Sequence, residues 1–383
     1  MSSYLKIELK ICKKCIQPDT RPGVFFNNES ICGACLWEEE RRKIDWDKRR
    51  SQLKKIAETA KKKSQGPYDC VIGVSGGKDS TKQAITARDE LDLRCLLVNC
   101  EPENITELGK QNIENLKLQG FDVITIRPNP KVMKKLIKYD FLNHLNPVKA
   151  TEFPLYSSAY VIAEKFKIPL IIQGENPGLT AGVSLTGVGT DSDALKAYQL
   201  QTLSSGWKEY LNVEGISEDD LHLFHYDVKK LTELDVQGIW IQYFLKEWSY
   251  RGNAEFSKTF GFKEREKIQP DEIGTYAAFA AIDSDLVPVN QMLKYIKFGF
   301  GQCMDHACFD IRDGFMDRKT AIDFVLKYDG KCANHFVNDF CNYIEISQEE
   351  FWKTVEKFRG DMWYNDGSLH NKLHDLLQNE LVT

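Results

Sequence analysis

The chain has 383 residues, enough for two or three domains. Lys and Arg number 51 against 56 Asp and Glu, a net charge of −5 that argues against nucleic acid as the main partner. With 42% hydrophobic and 11% aromatic residues the chain can build packed cores, which excludes global disorder. No charge-free apolar stretch is long enough to cross a bilayer; the nearest candidate, 176–190, is rich in glycine and polar residues. Residues 1–8 lack the charged and apolar regions of an export signal, so a cytoplasmic location is expected.

In chain order the first feature is a pair of CxxC turns, Cys12/Cys15 and Cys32/Cys35, with 16 residues between them. Each turn lets two thiolates converge on one ion, and two turns complete a tetrahedral sulfur shell. Structural Zn²⁺ is the expectation, with no open coordination position for catalysis; iron–sulfur ligation and a disulfide are the competing readings. This zinc-ribbon-like module is expected to span 1–37. A charged helical linker, 38–66, follows, with Ile44, Leu53, Ile56, Ala57 and Ala60 on one stripe. Its eleven Lys and Arg are interleaved with six acids, which favours a solvated helix over a nucleic-acid contact.

After Gly66-Pro67 the pattern changes. Strand-like runs at 68–74, 95–99, 122–126, 169–173 and 239–244 alternate with helical patterns at 81–90, 103–119, 131–142 and 156–167. The alternation predicts an α/β fold, a doubly wound parallel sheet over 67–251. In such sheets ligands bind at the carboxyl ends of the strands. Residues 252–383 read as a mainly helical region serving substrate or partner. Among the remaining cysteines, Cys70 and Cys95 read as core residues. Cys303, Cys308 and Cys332 lie near His306 and His335 in sequence and leave a second metal site open, although the spacing fits no usual ligand pattern.

The first strand runs into Ser75-Gly76-Gly77-Lys78-Asp79-Ser80 and then a helix. Two glycines let successive backbone N–H groups face one anion, and the helix N-terminus adds unpaired donors and partial positive charge. Lys78 can neutralise phosphate, Ser75 and Ser80 can donate to it, and Asp79 can place Mg²⁺ or cap the helix. The Walker pattern is absent.

This hexapeptide resembles the pyrophosphate-binding loop of the N-type ATP pyrophosphatases (PP-loop superfamily), which implies ATP cleavage to AMP and pyrophosphate. Over nearly its whole length the chain resembles the N-acetyl sugar amidotransferases of bacterial surface-glycan assembly, including the pseudaminic-acid and lipopolysaccharide type. The carrying residues are the zinc module with Cys15-Ile16-Gln17-Pro18-Asp19-Thr20-Arg21-Pro22-Gly23, the phosphate loop and Gly174-Glu175-Asn176-Pro177. To these are added Lys297-Phe298-Gly299-Phe300-Gly301, Asp305-His306-Ala307, Asp310-Ile311-Arg312 and Tyr328-Asp329-Gly330. The resemblance implies conversion of a sugar's acetamido group into an acetamidino group. The segment 243–248 lacks the proline and Trp-Asp pair expected there, and 179–190 is unusually rich in small residues; both are expected to line the sugar pocket.

On this reading Lys78, Asp79, Asp305 and His306 are the catalytic candidates. The nucleotide is expected against Gly73, Ser75, Gly76, Gly77, Lys78, Asp79, Ser80, Asn99 and Gly174. Glu175, Asn176, Asp310 and Arg312 are expected on the substrate, and Cys12, Cys15, Cys32 and Cys35 on the metal. An interdomain salt bridge with a satisfied histidine is the competing reading of Asp305 and His306. Gly301-Gln302-Cys303-Met304-Asp305 matches a nucleophile elbow only in part, so ammonia is expected free or from a separate glutaminase partner. A zinc-containing tRNA-thiolating enzyme is the alternative, disfavoured by the absence of cysteine between Cys100 and Cys303. Association into a homo-oligomer stays open.

Overall fold

The computed structural model describes residues 9–183, 190–199, 206–364 and 371–382. The cysteine turns lead into α1 (Gly33–Arg41) and α2 (Trp46–Lys63). Asp45 caps α2 by accepting the Lys48 N–H at 2.9 Å. The stripe read from the sequence is there: Leu53, Ala57 and Ala60 are buried, while Lys54, Lys55, Lys62 and Lys63 face solvent. The charged segment does not stand free, because that stripe joins the core on one face of the sheet.

Next come β1 (Cys70–Gly73), α3 (Lys78–Ile85), β2 (Cys95–Cys100), α4 (Glu107–Leu118), β3 (Asp122–Ile126), α5 (Pro130–His144), α6 (Lys149–Phe166) and β4 (Leu170–Gln173). A short α7 (Pro177–Thr180), α8 (Val228–Glu233) and β5 (Gln237–Trp240) complete the α/β unit. The five strands are all parallel, in the order β3-β2-β1-β4-β5. The last strand begins earlier than the 239–244 run, and Ile241–Phe244 turns into a 3₁₀ helix. Ile241 and Phe244 are both buried three residues apart, a spacing that eclipses in a 3₁₀ turn but puts the two on opposite faces of a strand.

Alternation along the strands sends Val71, Leu96, Val98 and Ile171 to one face, under α5 and α6. Cys70, Ile72, Leu97 and Ile172 go to the other, under α2, α3 and α4. The helical region supplies α9 (Tyr250–Lys258), α10 (Pro270–Ile273), α11 (Leu286–Phe298), α12 (Gln302–Arg312), α13 (Arg318–Tyr328), α14 (Asn334–Ile344), α15 (Gln348–Lys357) and α16 (Lys372–Val382). It is not a separate body. α11, α14 and α15 extend the first core, and α12, α13 and α16 share a third with the cysteine turns. No helix among the described residues is long and apolar enough to cross a membrane.

Phe141 on α5 is the hinge pin of the first core. Its ring stacks on Phe351 at 5.0 Å and meets Phe340 edge-on at 5.2 Å. Phe141→Ala is expected to lower the unfolding free energy by about 3–5 kcal/mol, read from denaturant titration.

Candidate functional site

The four sulfurs of Cys12, Cys15, Cys32 and Cys35 are buried and lie within 4.8 Å of one another. Cys12 and Cys35 are 3.8 Å apart, and Cys15 and Cys32 3.7 Å. A zinc–sulfur bond of about 2.3 Å places tetrahedral sulfurs about 3.8 Å apart, so the tetrad fits a structural Zn²⁺. The Cys32 N–H points at Cys12 Sγ (3.3 Å) and the Gln17 N–H at Cys15 Sγ (3.4 Å), the outer contacts that orient thiolates. Contacts with the Cys12 and Cys15 sulfurs hold the Cys32 and Cys35 thiols far above their ordinary range, so a dication is what would let all four ionise. Among the described residues this is the one metal-like group of three or more His, Cys, Asp or Glu side chains. Cys303 is buried, with its thiol directed at the Phe324 carbonyl (3.5 Å), and burial pushes its pKa far up, which suits a core residue and not a nucleophile.

β1 sits between β2 and β4, so the strand order reverses there and the crevice opens between the loops that follow β1 and β4. The first loop holds Ser75 to Gly77. Gly76 has φ +77°, and a Cβ there would stand 3.0 Å from the Ile113 backbone nitrogen, so α4 packs directly on the turn. Ser75 Oγ accepts the Gly77 N–H at 3.3 Å, and Ser80 Oγ is turned inward to the Gly77 carbonyl at 3.0 Å. The first amides of α3 have no intrahelical acceptor and remain for an anion. Lys78 is buried, paired with Asp79 and 4.3 Å from the Tyr250 ring centre. Helix α9 clamps this start: Asn253 Nδ2 donates to Asp79 Oδ1 (2.6 Å) and Ser257 Oγ to the Lys78 carbonyl (2.7 Å).

Ser75 separates two hollows of ≈240 Å³ each. One is mainly apolar, at the ends of β2 and β3, walled by Cys100, Pro102, Met133, Leu155 and Leu286. The other is a cleft lined by Lys78, Asp79, Glu175, Tyr250, Gln302 and His306. His306 is buried, its Nδ1 is 2.5 Å from Thr275 Oγ1, and its ring stacks on Tyr250. Burial, reinforced by the positive charges of Lys78 and Lys294, pushes its pKa down to about 3 against the pull of Asp305, so the imidazole is neutral. Burial and the like charge of Asp79 push Glu175 up to about 7, with Lys78 and Trp248 opposing. Glu175 keeps some contact with solvent through the cleft.

The other candidates are turned elsewhere. Asn99 Nδ2 donates to the Val74 carbonyl (3.0 Å), and the Gly73 carbonyl accepts from Gln83 (3.1 Å), so both hold the loop's base. The Gly174 carbonyl accepts from the Gln242 N–H (3.2 Å). Asn176 caps α7 and donates to the Asp191 carbonyl (3.1 Å). Asp305 is gripped by Arg21 and, at 2.6 Å, by Lys294, a bridge between the cysteine module and α12. Asp310 is fully buried, held bidentately by Arg251 (2.6 Å to each oxygen) and by the Tyr276 hydroxyl (2.6 Å). Arg312 points one nitrogen at Cys15 Sγ (3.7 Å) and another at the Thr180 carbonyl (3.5 Å). Asp329 receives the Gly301 N–H at 2.6 Å and so caps α12 from a distance. Sequence reasoning missed Tyr250, Asn253, Thr275 and Gln302. Gln302 entered the reading only within the partial nucleophile elbow, and the other three lie outside any motif; packing alone brings Tyr250 and Gln302 to the cleft and sets Asn253 against Asp79 and Thr275 against His306. Of the small-residue segment, Leu179 and Thr180 line a neighbouring chamber and 184–189 lie outside the described residues.

Fold and site together define a parallel α/β protein with a glycine-rich loop at the sheet's switch point and a buried cluster of four cysteines that fits a metal ion. Residues 273–375 match the family described as LPS biosynthesis protein WbpG-like, C-terminal domain, which links this part of the chain to lipopolysaccharide biosynthesis. The matched stretch carries Gln302, His306 and the rest of α12, one wall of the cleft. No curated protein matches the chain.

Two outcomes follow from these contacts. Purified protein is expected to carry one zinc per chain, and Cys15→Ser to bring metal content below half an equivalent, measured by elemental analysis. Although burial opposes its ionisation, Arg21 and Lys294 hold Asp305 at about 2, below its unfolded value. It therefore stabilises the fold above about pH 4 and loses that contribution as pH falls toward 2. Asp305→Asn is expected to destabilise at pH 6 and progressively less as the pH falls through that window, followed by denaturant titration.

Proposed function

We propose that the protein is an ATP-dependent amidotransferase that turns the acetamido group of an N-acetyl sugar into an acetamidino group for surface-glycan assembly. The sugar would be nucleotide- or CMP-linked, or a nonulosonic acid precursor. The observation that carries this reading is the glycine loop after β1, which opens at once onto an apolar hollow and a polar cleft. Such a pair suits a nucleoside on one side, phosphates at the loop and a second substrate beyond them. The lipopolysaccharide-related family matched by residues 273–375 supports a sugar as that second substrate.

An amide oxygen is a very poor leaving group. Transfer of AMP to it gives an imidate whose leaving group is a phosphate anion, and ammonia can then add and expel AMP. Lys78 and the α3 amides suit the departing pyrophosphate, held without the reorganisation water would need. Asp79 would hold Mg²⁺ against the phosphates, an ion that supplies charge neutralisation when bound. Gln302 Oε1 is buried and has no hydrogen-bond partner among the described residues, so it suits the acetamido N–H. His306, neutral and tethered through Nδ1, keeps Nε2 for a hydrogen bond to substrate. Cys100 is held near 12, chiefly by burial, which disfavours a sulfur-carrying role.

The test is mass spectrometry of acetamido sugars incubated with ATP, Mg²⁺ and ammonium, seeking the loss expected when oxygen is exchanged for NH. A heavy-oxygen label on the acetamido group is expected to appear in AMP. Lys78→Ala is expected to lower kcat/KM by about two to three orders of magnitude. Label retained in the sugar product would refute the scheme.

A further inference from the structure

Glu175 stands on the wall between two spaces. One is the cleft containing Lys78, Asp79 and His306. The other is a chamber of ≈50 Å³ between α1, the β4 loop and the turn carrying Trp248 and Tyr250. Glu175, Tyr250 and Phe309 line both. The chamber admits a few molecules the size of water or ammonia and has no room for a sugar ring.

Its two arginines are already engaged. Arg41 bonds Glu38 (2.9 Å) and the carbonyls of Lys246 (2.7 Å) and Trp248 (3.1 Å), while Arg312 is turned to Cys15 and Thr180. Neither arginine pairs with the Glu175 carboxyl, which among the described residues has beside it only the buried indole N–H of Trp248, a contact outside normal hydrogen-bond geometry. A carboxylate among aromatic walls is chemistry for a small cation.

We propose that this chamber receives ammonium for the reaction proposed above, on which the inference rests, and that Glu175 is the base that releases ammonia into the cleft. Ammonium gives one proton to the Glu175 carboxylate. The nitrogen lone pair then forms the new C–N bond at the adenylated acetamido carbon. The C–O bond breaks, and AMP leaves with that oxygen and the bonding electrons. The remaining nitrogen protons stay on the amidinium, and Glu175 returns its proton to solvent through the chamber. Glu175 lines both spaces and so can take the proton on one side and pass ammonia to the other, whereas His306 lines only the cleft and is tied through Nδ1 to Thr275.

The zinc-loaded full chain tests this in two assays. ATP–pyrophosphate exchange with an acetamido sugar, without ammonium, reads adenylation; amidine formation reads the chamber. If no acetamido sugar supports exchange, the amidotransferase reading itself fails. Where exchange occurs, Glu175→Gln is expected to lower the ammonium-dependent kcat/KM about 100-fold at neutral pH. Hydroxylamine, already a neutral base there, is expected to restore most turnover. Equal loss with both nucleophiles, or an unchanged ammonium kcat/KM, would overturn the proposal. If the variant does not fold, wild-type protein decides: methylamine is expected to react and butylamine to be excluded, and equal use of both would overturn it.

Discussion

The architecture depends on the docking of four buried sulfurs against helix α12. The cysteine turns are too short to bury a core of their own, and a shared ion would give them one fixed shape. That shape is held from outside by Arg318, which donates to the carbonyls of Cys12 and Cys15, and by Arg312 at Cys15 Sγ. From inside, Gln17 Nε2 donates to the Ala181 carbonyl at 3.1 Å, and Val24 pairs with Val183. Gly182, at φ +65°, lies so close to α1 that a Cβ would stand 2.3 Å from the Ala34 nitrogen. The loop bearing Glu175 is thus pinned between the cysteine module and the sheet. A cysteine cluster that touches no substrate can still decide where a carboxylate stands.

The sheet supplies the other half of the arrangement. With β1 central and its neighbours departing to either side, the loops after β1 and β4 diverge and leave a crevice above the strand ends. The helical region closes that crevice. α9 grips the start of α3 through Asn253 and Ser257, and α12 brings Gln302 and His306 over the loop. Asp329 makes this possible by satisfying the α12 N-terminus where no local cap exists.

Environment separates groups of the same chemistry. Asp305 and Glu175 are both enclosed carboxyls near Lys78 or Lys294, yet one is held near 2 and the other rises to about 7. Asp305 faces two cations directly, whereas Glu175 is raised first by burial and then by the like charge of Asp79. The first is a clasp between module and helix, and the second is a carboxyl with no cation directly against it among the described residues.

Local chemistry was enough to identify much of this from residue order alone. The paired CxxC turns, the β–loop–helix with its two glycines and the alternation of short apolar strands with helices are all set by neighbours in sequence. Their spacing carries the information, because thiolate geometry, backbone freedom at Gly76 and side-chain periodicity act over a few residues. Strand order, and with it the meeting of Ser75 and Glu175, depends on which faces pack. Asp310 and Arg312 look like substrate ligands until Arg251, Tyr276 and Cys15 are seen to occupy them. Tyr250 and Thr275 carry no signal in the chain, and Gln302 shows only a partial motif for other chemistry, since their places arise from which side chains fold against them. Bonding partners distant in sequence, and the dielectric they create, were decided only by the tertiary structure.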